Sequence, residues 1–185
     1  MVCHAVHRAI RIFERCSVPN LVRPVRIELV QDLQQGCVGL YHCGEGFIEV
    51  LSPAALREIR KQDGAFSHLP VDAYFESIII HELVHAATEN MPCPFDDCVA
   101  AKEYVAYVMQ IMSLMPDARK EFEEVSGIDR SVSADELSLL MLLMVPELFA
   151  QKVWAHFSQR DAPCDFVEQL LKAEILIDRE HFHGE

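Results

Sequence analysis

The sequence has no apolar run long enough to cross a bilayer. Its longest, Leu137 to Val145, is interrupted by Ser138 and stopped by Pro146, far short of the ~20 residues a spanning helix needs. Cations are also scarce. Sixteen Lys and Arg stand against 29 Asp and Glu, a net charge of −13. Phosphate binding needs a basic surface, so nucleic acid is excluded as a partner. There is no low-complexity tract and no repeat at a fixed period, which excludes repeat arrays. Aromatics are modest, at 8%. The opening stretch MVCHAVHRAI lacks the ~7–15-residue apolar core of a signal peptide.

What is present fits one soluble domain over residues 1–185, with 51% apolar and 24% charged residues. The charge is uneven. Residues 1–26 carry Arg8, Arg11, Arg15, Arg23 and Arg26 against Glu14, a net +4, which leaves −17 for the remainder. A basic first helix facing an acidic body is the expected arrangement; a basic partner or substrate is the other way to use an acidic surface.

Cysteine is abundant, with seven in the chain. Six fall into close pairs, Cys3 with Cys16, Cys37 with Cys43 and Cys93 with Cys98, and Cys164 is left over. Local pairing suits an oxidising compartment. The expectation is an exported protein, periplasmic or secreted, with its leader removed. The alternative is a cytoplasmic chain with buried thiols.

Val6, Ile10 and Phe13 mark one face of a helix over residues 4–16. VRIELV (25–30) alternates like a strand. Residues 36–53 read as a hairpin, with arms Val38–Cys43 and Phe47–Leu51 and the turn at Gly44-Glu45-Gly46. Ser52 and Pro53 start a helix that ends near Gly64. Asp72 is the expected cap of a helix running to about Asn90. Asp96 or Asp97 should cap another, to about Met115. Ser133 and Glu136 form a capping box before a long helix to about Phe157, bent at Pro146. A last helix should span Pro163 to Arg179. The fold class is α+β, mainly helical, with a small antiparallel sheet.

The chemistry concentrates in SIIIHELVHAATEN, residues 77–90. On a helix His81 and His85 share a face, and two imidazoles one turn apart can hold one Zn²⁺. Glu82 flanks that face. It is badly placed as a ligand but can reach a water on the metal, take its proton and pass it on to a leaving amine. A third protein ligand is needed. Thr88 and Met91 stand where the metzincin pattern requires Gly and His, so that arrangement is excluded. Downstream lies AAKEYVAYVMQ, with 17 residues between His85 and Glu103. Residues 90–97 can reverse the chain and lay Glu103 against the histidine pair. CPFDDC, across that reversal, brings Cys93 and Cys98 within bridging range. A disulfide there would hold the loop between the two helices.

HELVH followed by EYVA resembles the gluzincin branch of zinc metallopeptidases. The stretches GLYHCGEGFIEVLSP, HELVHA and EYVAYVMQ also resemble a small bacterial family of exported gluzincin-like proteins, over about residues 36–115. The resemblance implies a mini-zincin fold, with the two motif helices crossing beneath a small twisted sheet. It implies one zinc per chain on His81, His85 and Glu103, with Glu82 as general base and acid. It further implies a peptide or protein substrate laid along a sheet edge, for which the hairpin is well placed. Gluzincins add a later Tyr or His to stabilise the oxyanion. His156, Arg160, His181 and His183 are the later candidates, whereas Tyr104 and Tyr107 read as core aromatics.

Three other arrangements compete. Glu82 and His85 form half of a di-iron Glu-x-x-His pair, whose second copy would be Glu180 and His183. Glu89 could be a third ligand, but one straight helix would then spread its donors over ~12 Å. Cys93 or Cys43 could close the site as a fourth ligand, leaving a catalytically inactive zinc-binding scaffold or binding protein.

Overall fold

The computed structural model describes residues 1–34, 36–60 and 64–177. Among them are three strands and eight α-helices, in an α+β, mainly helical fold. The first helix, α1 (Val2–Arg15), buries Ala5, Ala9, Ile12 and Phe13. The expected face is therefore rotated: Ile10 is exposed, and two alanines let α1 approach its neighbour closely. That neighbour is α3 (Val71–Ala87), and the basic helix meets it through acid. His4 and Arg8 both reach Glu76, at 2.9 and 3.3 Å.

The sheet contains β1 (Arg26–Val30), β2 (Gly39–His42) and β3 (Phe47–Leu51), in the order β1-β3-β2. It is mixed and not wholly antiparallel. β2 and β3 form the expected hairpin, but β1 runs parallel to β3, with Arg26 beside Phe47 and Val30 beside Leu51. The chain leaving β1 crosses to the far side of β3 before β2 begins, which leaves β2 as an edge. Gly44 and Gly46, at φ +83° and +64°, make the hairpin turn, a backbone state that favours glycine. Arg23 ties this turn down. Its guanidinium reaches Gly44 O at 2.9 Å, Tyr41 Oη at 3.2 Å and Glu89 Oε2 at 2.8 Å.

Ser52 caps α2 (Pro53–Ile59) as its sequence requires, accepting from Ala55 N–H at 3.2 Å. That helix stops at Ile59, short of Gly64. α3 is buried all round from Ser77 to Val84, its polar Ser77, His81 and Glu82 included. Its cap position is Pro70 and not Asp72. α4 (Val99–Met112) starts from Cys98 and not from Asp96 or Asp97. These two helices make the most extensive contact in the molecule. Pro116 begins a further helix, α5 (Pro116–Ser126), which the sequence reading omitted. The Ser133–Glu136 capping box is formed, but it closes a single 3-10 turn. Beyond it, the expected long helix is cut in two, α6 (Leu139–Met144) and α7 (Pro146–Ser158), because proline cannot donate into the preceding turn. The last helix, α8 (Pro163–Leu171), ends before Arg179, which lies outside the described residues.

Two disulfides are present. Cys93–Cys98 spans the α3–α4 connection, with Cα atoms 5.8 Å apart. Cys16 pairs with Cys164, not with Cys3, and Cys3, Cys37 and Cys43 are free thiols. Secondary structure explains both corrections. Cys3 and Cys16 sit near opposite ends of α1, ~20 Å apart at ~1.5 Å per residue. Cys37 and Cys43 flank the extended strand β2, again ~20 Å apart at ~3.3 Å per residue. Bridging requires Cα atoms within ~7 Å. α1 and α8 both pack on α4, which brings Cys16 to Cys164. Closing a loop of 148 residues of separation stabilises by on the order of 5 kcal/mol in the chain-entropy picture. Two disulfides fit an oxidising environment. No helix among the described residues is long and apolar enough to cross a membrane.

Candidate metal centre

The α3–α4 contact brings three side chains to one point. His81 and His85 project from α3 toward α4, one turn apart, with ring centroids 4.9 Å from each other. Glu103 projects back from α4. Its Oε2 is 3.3 Å from His81 Nε2, and its Oε1 is 3.3 Å from His85 Nε2. One donor atom from each residue lies within 4.8 Å of the other two, so the three form a group able to hold a metal ion. The two His–Glu separations are those of donors sharing one small ion. Donors at ~2.0–2.1 Å in a tetrahedral shell stand ~3.3–3.4 Å apart. Among the described residues no cysteine belongs to the group, which leaves room for a fourth, non-protein donor.

Charge and burial are balanced here. Burial works against ionisation of Glu103, but His85 and His81 outweigh it and hold the carboxyl well below its usual range. Burial likewise disfavours the His85 imidazolium, and Glu103 more than compensates, so the net shift is upward. Glu82 is the reverse case. Burial dominates and raises it, with His81 and His85 pulling only partly back. A carboxylate so placed is a readier proton acceptor than one in water.

The slot that holds Glu82 is made by a glycine. A Cβ on Gly39 would lie 2.6 Å from Glu82 Oε1, 2.8 Å from its Cγ and 2.8 Å from Ile78 Cγ2. The strand can therefore rest on the carboxylate only because residue 39 has no side chain. Leu51 N–H donates to Val38 O at 3.0 Å. With alternating pairing along an antiparallel ladder, Gly39 and Tyr41 then turn their backbone groups to the open edge of β2. The Tyr41 backbone lowers the Glu82 pKa through a hydrogen bond, as that orientation requires.

A cleft of about 780 Å³ opens on this point, with His81, Glu103 and Tyr107 on one wall and Val38 and Gly39 on another. Leu51, Leu56 and Phe66 line it as well, along with polar groups such as Asp32, Arg60 and Gln110. Tyr107 stacks edge-on against His81, ring centroids 4.7 Å apart, and burial pushes its hydroxyl well above the ordinary range. Tyr107, a core aromatic by its sequence, also lines the cleft.

The other sequence candidates lie elsewhere. Glu89 is held by Arg23 and by the Gly44 N–H, so it anchors the hairpin turn. Cys93 is in its disulfide, and Cys43 is an exposed free thiol. His156 is a core histidine whose Nδ1 is hydrogen-bonded with Tyr104 Oη at 2.8 Å, and burial lowers its pKa to about 4. Arg160 lies over the Phe166 ring at 4.3 Å. Glu180, His181 and His183 lie outside the described residues.

Two participants were missed. His81 Nδ1 is 3.0 Å from Gln110 Oε1, and Gln110 Nε2 donates to Ser77 Oγ at 3.2 Å. Their spacing was the available signal. Gln110 is seven residues after Glu103 and Ser77 four before His81, each on the same helix face as the ligand it accompanies.

A family model matches residues 1–180. The chain belongs to DUF6639, a family of unknown function. No curated protein and no solved structure matches it.

Proposed function

We propose that the chain is a zinc-dependent peptidase, with His81, His85 and Glu103 as metal ligands and Glu82 as general base and acid. The observation that carries this reading is the buried, upward-shifted Glu82 carboxylate set beside the three convergent donors, two of which, His81 and Glu103, line the cleft. Bound zinc would supply a Lewis acid that polarises a carbonyl and makes water acidic near neutral pH. Glu82 takes the proton from the attacking water at its carboxylate and delivers it to the leaving amine. β2 is an edge strand whose Gly39 also lines the cleft, so an extended chain laid along that edge would pass the site. Export of the protein accords with its two disulfides.

The test is metal dependence. Chelation should abolish hydrolysis of an unfolded protein substrate, and one equivalent of Zn²⁺ should restore it. Hydrolysis that persists in the chelated, metal-free protein would rule the reading out. The competing function is a zinc-binding scaffold, favoured only if the loaded protein cleaves nothing.

Gly39 provides a sharper check on the role of Glu82. Gly39→Ala should displace the carboxylate, with hydrolysis at least about tenfold slower, zinc content unchanged, and ~1–3 kcal/mol lost to overpacking. Urea unfolding, zinc analysis and a rate assay measure the three. A variant with the wild-type rate would show that the Glu82 slot is not required.

A further inference from the structure

We propose that Gln110 is a positioning residue for the metal centre, fixing through Ser77 the tautomer and ring orientation of His81. The inference rests on the metal-binding part of the proposed function. It follows from the direction of three consecutive hydrogen bonds. Ser77 O–H donates to Tyr74 O at 2.8 Å, and a carbonyl can only accept. Ser77 Oγ is therefore left as an acceptor, and the group that donates to it, at 3.2 Å, is the Gln110 amide nitrogen. That sets the amide the other way round at its far end. Gln110 Oε1 faces His81 Nδ1 at 3.0 Å, and an amide oxygen also only accepts. Nδ1 must carry the hydrogen, which leaves Nε2, 3.3 Å from Glu103, as the atom whose lone pair a metal would take.

Burial makes this chain of bonds stringent. Ser77, Gln110 and His81 are 1%, 3% and 8% exposed. With the Ser77 hydroxyl hydrogen committed to Tyr74 O, reversing the amide would set its oxygen against the Ser77 lone pairs, and a buried mismatch costs more than a surface one. The relay also explains a glutamine in the middle of an otherwise apolar stretch of α4, between Met109 and Ile111, both fully buried. Metal-bound histidines depend on such outer partners, whose loss costs ~10–100-fold in affinity.

Zinc affinity by chelator competition and ¹⁵N spectra of the His81 ring decide it. Gln110→Met should weaken zinc ~10–100-fold and remove the Nδ1–H preference of His81 in the zinc-free protein. Gln110→Glu keeps an acceptor toward Nδ1 and should restore both. Ser77→Ala frees the amide to reverse and should fall between wild type and Gln110→Met; it decides the matter if the methionine variant does not fold. If Gln110 were only a structural bridge, the variants would lower the melting temperature and leave zinc affinity and the His81 spectrum unchanged, which would overturn the proposal. Wild-type protein that binds no zinc would defeat the metal reading instead, and the zinc-free ¹⁵N spectrum would still test the relay.

Discussion

Glu82→Gln should keep its zinc and lose hydrolysis by ~10²–10⁴-fold, the usual contribution of a positioned general acid and base. The side chain is nearly isosteric, so it still fits against Gly39. The three ligands are untouched. Only the capacity to accept a proton is gone. The same change should leave the metal-free fold as stable as wild type or more so, because burial already disfavours the Glu82 carboxylate. Charged groups held in a dry site for chemistry commonly carry such a cost. Rate, zinc content and melting temperature measured on one preparation give the full pattern. A variant that hydrolyses at the wild-type rate would remove Glu82 from the mechanism. One that loses zinc would make it a ligand.

The second large effect is on the metal itself. His85→Ala and Glu103→Ala should each weaken zinc by more than about a hundredfold, beyond the ~10–100-fold typical of outer partners. Each removes one of the three donors that converge within 4.8 Å. Zinc at a thousand times its Kd adds ~4 kcal/mol to wild-type stability. For a chain of this size that corresponds to a rise in melting temperature on the order of 10 °C. Neither variant should show the rise at the same zinc concentration. Glu103→Ala has a further signature: without metal it takes away the carboxylate that does most to raise His85 against its burial, leaving only Glu82, so the upward shift of His85 should shrink. Undiminished zinc-induced stabilisation in both variants would place the metal elsewhere.

The centre was legible because its spacing is local and its helix is strongly specified. HELVH makes one face of α3, and a reversal of fixed length brings Glu103 back, pinned by Cys93–Cys98. The hairpin and the Ser52–Pro53 start of α2 were legible for the same reason: turn glycines, a cap and a helix-initiating proline are short-range signals. What the sequence hid is set by tertiary contact. Nothing near Arg26–Val30 states that its partner β3 will lie parallel. Cys16 and Cys164 meet only after α1 and α8 have both settled on α4. Ile10 outranks Ala9 on any hydrophobic scale, yet the close approach of α1 to α3 favours the alanine. Gln110 and Ser77 are ordinary residues until the two helices cross and their hydrogen bonds line up.

Cleavage-site mapping tests peptidase activity most directly. A defined mixture of unfolded peptides is incubated with zinc-loaded wild-type protein, with the chelated protein and with Glu82→Gln, and new amino termini are read by mass spectrometry. The expected result is a set of internal cleavages with the zinc-loaded wild type alone. New termini that also appear with the chelated protein or the variant, or none with the wild type, would contradict the assignment of peptide hydrolysis to Glu82 beside the His81, His85 and Glu103 centre.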